Sequence, residues 1–245
     1  MRYGTFTPEE LGNLPNIPPV KGAAKGASGI TYDIAVKMAE SMDEVGLAYL
    51  HERGLGAGTI AKFHLGMQGG KFITIPLTFE WEGKTRCPAI KKRWIPQFKP
   101  ADQPKYLAFP GSHTKGIFNF DALRQPAECG IIANSLFDVM LLDQLGFTVA
   151  GPFTGEADWE VKWSEYIHWS LIVNLGDWDP ERAGSNGEPY RPGTRYMLAR
   201  ALKLSNAHNV KRIVNVYPPG GYDDISAAWQ AGIDISKWIE DLLKS

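Results

Sequence analysis

Cysteine is scarce in this chain, whose 245 residues hold only Cys87 and Cys129. The two lie far apart and neither has a histidine pair nearby. That excludes a zinc ribbon and a disulfide framework, and it fits a reducing, cytoplasmic setting. Long apolar runs are missing as well. No stretch reaches the roughly 20 apolar residues of a membrane span, and no apolar segment follows Arg2 as in a secretory signal, so no membrane partner is expected. Net charge is nearly absent, at −1, which taken alone argues against a polyanion-binding protein. The five histidines (His51, His64, His113, His168 and His208) have no metal-ligand spacing, so neither a histidine metal centre nor a catalytic histidine is expected.

What is present is charge sorted along the chain. Between Lys84 and Lys105 stand Lys84, Arg86, Lys91, Lys92, Arg93, Lys99 and Lys105 against Asp102 alone. Between Glu156 and Glu181 the balance reverses, with Lys162 the one cation among Glu156, Asp158, Glu160, Glu165, Asp177, Asp179 and Glu181. Such a division suits a protein that grips a polyanion on one side and holds a divalent metal on the other; two solvated faces of an unrelated enzyme would look the same. Trp94 beside Lys91-Lys92-Arg93 is an aromatic next to a basic run, which is a candidate platform for single strands. Trp159, Trp163, Trp169 and Trp229 fit packing between helix and sheet better than base stacking.

Residues 1–29 are rich in Gly, Pro, Lys and Asn and read as a flexible N-terminal arm. Helical spacing of Ile34, Met38, Met42, Val45 and Leu47–Leu50 predicts one helical stretch ending at Arg53-Gly54, and a short helix over 58–64 follows. Residues 72–78 are β-type. The flanks of Glu82-Gly83-Lys84 predict a hairpin, so residues 30–125 form a helical plus basic β-rich subdomain. From 126 to 245 the pattern changes to strands at 130–133, 147–150, 170–175 and 210–217. Helices are predicted between them, over 136–145, 159–167 and 196–204, then over 225–230 and 235–243. This alternation predicts a parallel α/β sheet with helices on both faces.

Ligands of open parallel sheets bind beyond the carboxyl ends of the strands. The first strand releases Asn134 and Ser135, with Asp138 one turn into the following helix. The third releases Gly176-Asp177-Trp178-Asp179-Pro180-Glu181. The fourth leads through Pro218-Pro219-Gly220-Gly221 to Asp223-Asp224. Two carboxylates one residue apart can turn toward one hard cation, and Mg2+ favours sparse oxygen sites shared with phosphate. The competing reading of Asp-Trp-Asp is a capping loop, with Asp179 capping a turn that Pro180 begins.

The run Cys129-Gly-Ile-Ile-Ala-Asn134-Ser-Leu-Phe-Asp138, then Asp177-Trp-Asp179-Pro-Glu-Arg-Ala-Gly184, then Gly221-Tyr-Asp223-Asp224, resembles a Toprim domain. Upstream, Tyr49-Leu-His-Glu-Arg-Gly54-Leu, Phe72-Ile-Thr-Ile-Pro-Leu, Pro104-Lys105-Tyr106-Leu107 and Lys115-Gly-Ile-Phe-Asn119 resemble, in order, the catalytic core of bacterial-type DNA primases of phage and plasmid-like kind. The resemblance is collinear over about residues 47–232. It implies a primase-like core with a C-terminal Toprim sheet. The implied activity is metal-dependent nucleotidyl transfer that makes primers on single-stranded DNA during replication, with Mg2+ (or Mn2+) as cofactor. It assigns metal to Asp177, Asp179 and Asp223, with Asn134 and Asp138 completing the catalytic set. It assigns Lys105 and Tyr106 to nucleic acid, to which the basic run beside Trp94 adds Lys91, Lys92 and Arg93. The implied partners are a single-stranded template, nucleotides and a replicative helicase, as in a mobile element. The zinc module that precedes such cores is expected to be missing. One departure stands at the centre: the family has Glu-Gly where this chain has Asn134-Ser135. An amide oxygen can ligate a cation but brings no charge and is no base near neutral pH. A catalytically impaired nucleic-acid-binding protein and a Toprim nuclease therefore stay open beside the primase.

Overall fold

The computed structural model describes residues 30–155, 159–183 and 188–244. The expected arm over 1–29, together with Glu156, Asp158 and Gly184, lies outside the described residues.

The first subdomain opens with helices α1 (Tyr32–Glu40), α2 (Glu44–Glu52) and α3 (Ala57–Lys62). The single stretch expected from periodicity is two helices. Asp43 caps α2 by accepting from the Gly46 amide at 2.9 Å, so the chain restarts there although the apolar spacing runs on. An antiparallel sheet follows in the order β1 (Gly66–Gln68), β2 (Phe72–Trp81), β3 (Lys84–Trp94), β4 (Tyr106–Ala108). β2 and β3 form the hairpin. Glu82 and Gly83 both take positive φ (52° and 70°), the left-handed pair that matches strand twist across a two-residue turn. Pro88 sits where the hairpin register shifts, a place where a missing N–H breaks no ladder.

The second sheet has the order β11 (Arg212–Val216), β8 (Trp169–Leu175), β6 (Ala127–Ile132), β7 (Val149–Pro152), β5 (Ile117–Phe118). The first four strands are parallel, and β5 runs antiparallel at the edge. β5 and helix α4 (Phe120–Arg124) therefore belong with this sheet, although the sequence reading left 117–124 in the first unit. Helix α5 (Leu136–Gln144) joins β6 to β7. The short pairs β9 (Arg182–Ala183) and β10 (Pro189–Tyr190) lead into α6 (Pro192–Leu204). Helices α7 (Ile225–Gln230) and α8 (Ile235–Lys244) close the chain. The helix expected over 159–167 is 3-10 turns over Val161–Tyr166. Trp159, Trp163 and Trp169 are buried there as packing groups.

Helix α5 shows why the two subdomains are joined. All residues from Leu136 to Leu142 are buried, where sequence spacing suggested one stripe. A helix apolar all round must be covered all round, and here the second sheet packs on one side while the first subdomain supplies the other. Leu50, Ile73, Ile75 and Leu77 share a single core with Phe137, Leu141 and Ile239. Each such buried side chain contributes about 1.5–3 kcal/mol. At the seam the Phe137 ring receives the Arg53 and Arg93 guanidiniums, each 5.0 Å from its centroid, and the edge of Tyr49.

Candidate active site at the strand ends

The order β11-β8-β6-β7 places the strands that follow β6 on opposite sides of it, so a crevice opens between the carboxyl ends of β6 and β8. A cleft of about 500 Å3 lies there. It is lined by Asn134, Asp177, Asp179 and Asp224 together with Lys91, Lys105, Tyr106 and Arg182. Acidic residues of the second sheet's strand ends and Lys91 and Lys105 of the basic run, distant in sequence, thus line one cleft.

The Asp-Trp-Asp loop reaches this cleft because its middle residue is fastened outside it. The Trp178 amide donates to the Asp223 carbonyl at 2.9 Å, its ring meets Tyr217 edge-on at 4.9 Å, and the Arg191 guanidinium lies 4.3 Å over it. The residues on either side then turn inward. Asp179 Oδ2 accepts from the Gly193 amide at 2.8 Å, so it caps the first turn of α6, not the local turn at Pro180. Gly193 is required by the close approach: a Cβ there would stand 2.3 Å from the Asp177 carbonyl oxygen.

The third acidic residue of the cleft is Asp224. Asp223, the residue assigned from the resemblance, is exposed and does not line it. Asp224 is also the N-cap of α7, accepting from the Ala227 amide at 2.7 Å, and this capping geometry holds its carboxylate at the strand end. Asp138 lies beneath, fully buried, and accepts from the Ser226 amide (3.0 Å) and hydroxyl (2.7 Å). Burial, and then repulsion from Asp224, push its carboxyl up to about 7 against the pull of those hydrogen bonds. Its position is that of a support for the α7 start rather than of a group in the cleft.

The basic residues divide by strand alternation. Lys91 points into the cleft, its ammonium donating to the Thr154 carbonyl at 3.1 Å and lying over the Tyr106 and Phe153 rings. Lys92 points the other way, over Phe72 and Phe109, and Trp94 lies on that same face with its ring 3.9 Å from Phe72. Arg93 is buried at the seam, donating to the Tyr49 hydroxyl at 2.6 Å. The basic run is therefore not one surface, and Trp94 is no part of the cleft. Lys105 is exposed at the cleft, and its pKa is lowered first by desolvation and then by the neighbouring cations Arg93 and Arg53. Both thiols are pushed up to about 11 by burial and are not nucleophiles.

Asn134 is met by a residue the sequence reading passed over. Arg200, on α6 and 1% exposed, donates through Nη1 to Asn134 Oδ1, through Nε to Asn174 Oδ1 (2.6 Å) and through Nη2 to the Leu175 carbonyl (2.6 Å). Its sequence signal was a cation at helical spacing within the apolar set Met197, Ala201 and Leu204. Arg182 was legible only as the residue after the acidic loop.

Among the described residues no three His, Cys, Asp or Glu side chains converge closely enough to cage a metal. The pair Asp177 and Asp179 at an open polar cleft does fit Mg2+, which keeps several waters and uses one or two carboxylates plus phosphate oxygens. No helix among the described residues is long and apolar enough to cross a membrane.

No protein-family model matches this chain, and no curated protein sequence does. Solved structures do. The Aquifex aeolicus primase (zinc-binding and RNA polymerase domains) aligns with a TM-score of 0.61 at 17% identity, covering 86% of this chain and 61% of that one. This chain therefore spans less than two thirds of that protein's structure. A DnaG primase catalytic domain bound to single-stranded DNA aligns at 0.57 and 13% identity, covering 84% and 77%. The primase fragment of the bacteriophage T7 primase-helicase aligns at 0.56 and 14%, covering 91% and 81%. The architecture of this chain is that of the bacterial-type primase catalytic core.

Proposed function

We propose that this chain carries out primase-type nucleotidyl transfer, joining nucleotides into primers on a single-stranded DNA template with Mg2+ or Mn2+. The observation that carries the reading is one cleft, at the strand ends of a primase-core fold, lined by three carboxylates together with two lysines and an arginine. Asp177 and Asp179 are the residues placed to hold the metal, with Asp224 beside them. When bound, the metal supplies neutralisation of phosphate charge as a nucleotide is attacked. The protein's own part is positioning: the Trp178 anchor and the Gly193 amide hold the acidic loop, while Lys91, Lys105 and Arg182 draw the polyanion against it.

The test is primer synthesis from labelled nucleotides on single-stranded DNA with Mg2+ or Mn2+. Product from the parent that is lost by at least about a hundredfold in Asp177→Ala supports the reading. A parent that binds template but makes no product under any of these conditions sinks it. That outcome would favour a second reading, a nucleic-acid-binding protein on a primase scaffold, for which the engagement of the Asn134 oxygen by Arg200 is the specific argument.

A further inference from the structure

Position 134 is where the family's carboxylate would stand, and the amide there is oriented by its neighbour. A guanidinium has five donors and no acceptor. Arg200 Nη1 therefore requires the oxygen of the Asn134 amide, and the nitrogen must point away from it. Arg200 is itself held in one pose. Asn174 accepts from its Nε, and the Asn174 amide donates to the Met197 carbonyl (2.8 Å) and to Asn215 Oδ1 (2.7 Å), so the Asn174 oxygen is fixed as well. All four side chains are buried. The Asn134 nitrogen is the end of this relay. It has no hydrogen-bond partner, in a residue 6% exposed that lines the cleft among Asp177, Asp179 and Lys105.

A buried N–H left without an acceptor is costly, and in a residue that lines a binding cleft it is a seat for an acceptor that arrives with the ligand. The acceptors brought by a nucleotide are phosphate oxygens, and the Arg200 charge directly behind the amide favours an anionic one.

We infer that Asn134 Nδ2 donates a hydrogen bond to a phosphate oxygen of the incoming nucleotide, with Arg200 as the residue that positions it, so that this cleft reads phosphate through a donor where the family's pattern places a metal-facing carboxylate. The inference rests on the nucleotidyl-transfer reading of the same cleft. It also disfavours cation ligation by Asn134, because a cation on that oxygen would stand against the buried Arg200 guanidinium. A glutamate restored at 134 would meet Arg200 and form a buried ion pair before it met any metal.

The experiment uses the full 15N-labelled chain, tripolyphosphate as the probe with Mg2+ present, and Mn2+ alone as a separate probe. The Asn134 side-chain amide signals are assigned by their absence in Asn134→Asp. That variant keeps an oxygen for Arg200 and so keeps the fold, which its Tm verifies. Tripolyphosphate should shift the Asn134 amide protons downfield. Asn134→Asp should weaken tripolyphosphate by about tenfold or more, as loss of a hydrogen bond to a charged group does. Arg200→Lys, which retains the charge but not the fork that orients the amide, should lose the downfield shift. If tripolyphosphate binds the parent while the Asn134 signals stay still, or if Asn134→Asp tightens Mn2+ alone by about tenfold, the inference is overturned and nucleotidyl transfer survives it. If the parent shows no saturable tripolyphosphate binding with Mg2+, both readings fall.

Discussion

Asp138 is a carboxyl whose surroundings oppose its charge. It is fully buried and faces Asp224, and its pKa in the fold is raised to about 7 from a reference of 3.8. Between those values the folded chain holds a proton that the unfolded chain has released. Stability contributed by the neutral carboxyl is thus present below pH 3.8 and is lost as pH rises through about 7. Asp138→Asn keeps an oxygen for Ser226 and removes the charge. It should raise Tm at pH 7.5 by about 2–4 °C, the shift that 1 kcal/mol produces in a domain of this size, and flatten the decline between pH 4 and 7. Thermal melts across that range check it, and a variant that melts lower at pH 7.5 than the parent would refute the assignment. From sequence, Asp138 was visible as an acid one turn into a helix. Its burial was not, because neighbours distant in the chain supply it. Asp223 and Asp224 were likewise indistinguishable as letters. Only the start of α7 decides that Asp224 faces the cleft and Asp223 faces solvent.

At the scale of elements, the acidic loop is held by the helix that follows it. Gly193, in the first turn of α6, leaves room for the Asp177 carbonyl where a Cβ would come within 2.3 Å, and its amide donates to Asp179 Oδ2. Gly193→Ala should therefore displace the loop while leaving the two sheets intact. The expected outcome is primer synthesis reduced by at least about tenfold, a size familiar for small displacements of positioned groups. Tm should fall by less than about 3 °C, since the clash is confined to a loop at the surface of the sheet. Wild-type synthesis in this variant would show that the loop geometry is immaterial. The hairpin, the four parallel strands and the helices α6 to α8 were all legible from alternation, turn residues and caps. The break between α1 and α2, the 3-10 turns at Val161–Tyr166 and the edge strand β5 were not, since periodicity does not register where a chain leaves one sheet and joins another.

For the whole molecule the net charge of −1 conceals a division that the fold turns inward. Lys91, Lys105 and Arg182 line the cleft, whereas Lys92 lies on the far face of the same hairpin and Arg93 is sealed at the seam. Binding of single-stranded DNA should therefore depend on Lys105 and not on Lys92. In a salt titration, Lys105→Ala should reduce the slope of log K against log salt by about 0.7, the value for one lost phosphate contact on a single strand. Lys92→Ala should leave the slope unchanged. Equal losses from the two substitutions would mean that the strand runs over the outer face of the hairpin rather than through the cleft.

By itself the sequence determined the class of the second subdomain, the turn of the hairpin, the acidic loop after the third parallel strand, and the departure at Asn134. These depend on local periodicity and on residues a few positions apart. The tertiary structure alone decided which members of each charged run share a surface, because a strand sends neighbours to opposite faces and a seam can swallow one of them. It alone decided that Arg200, 66 positions from Asn134 in the chain, would take the amide's oxygen and leave its buried nitrogen without a partner. Contacts of that separation are set by how sheets and helices stack, and stacking is not written in any short stretch of residues.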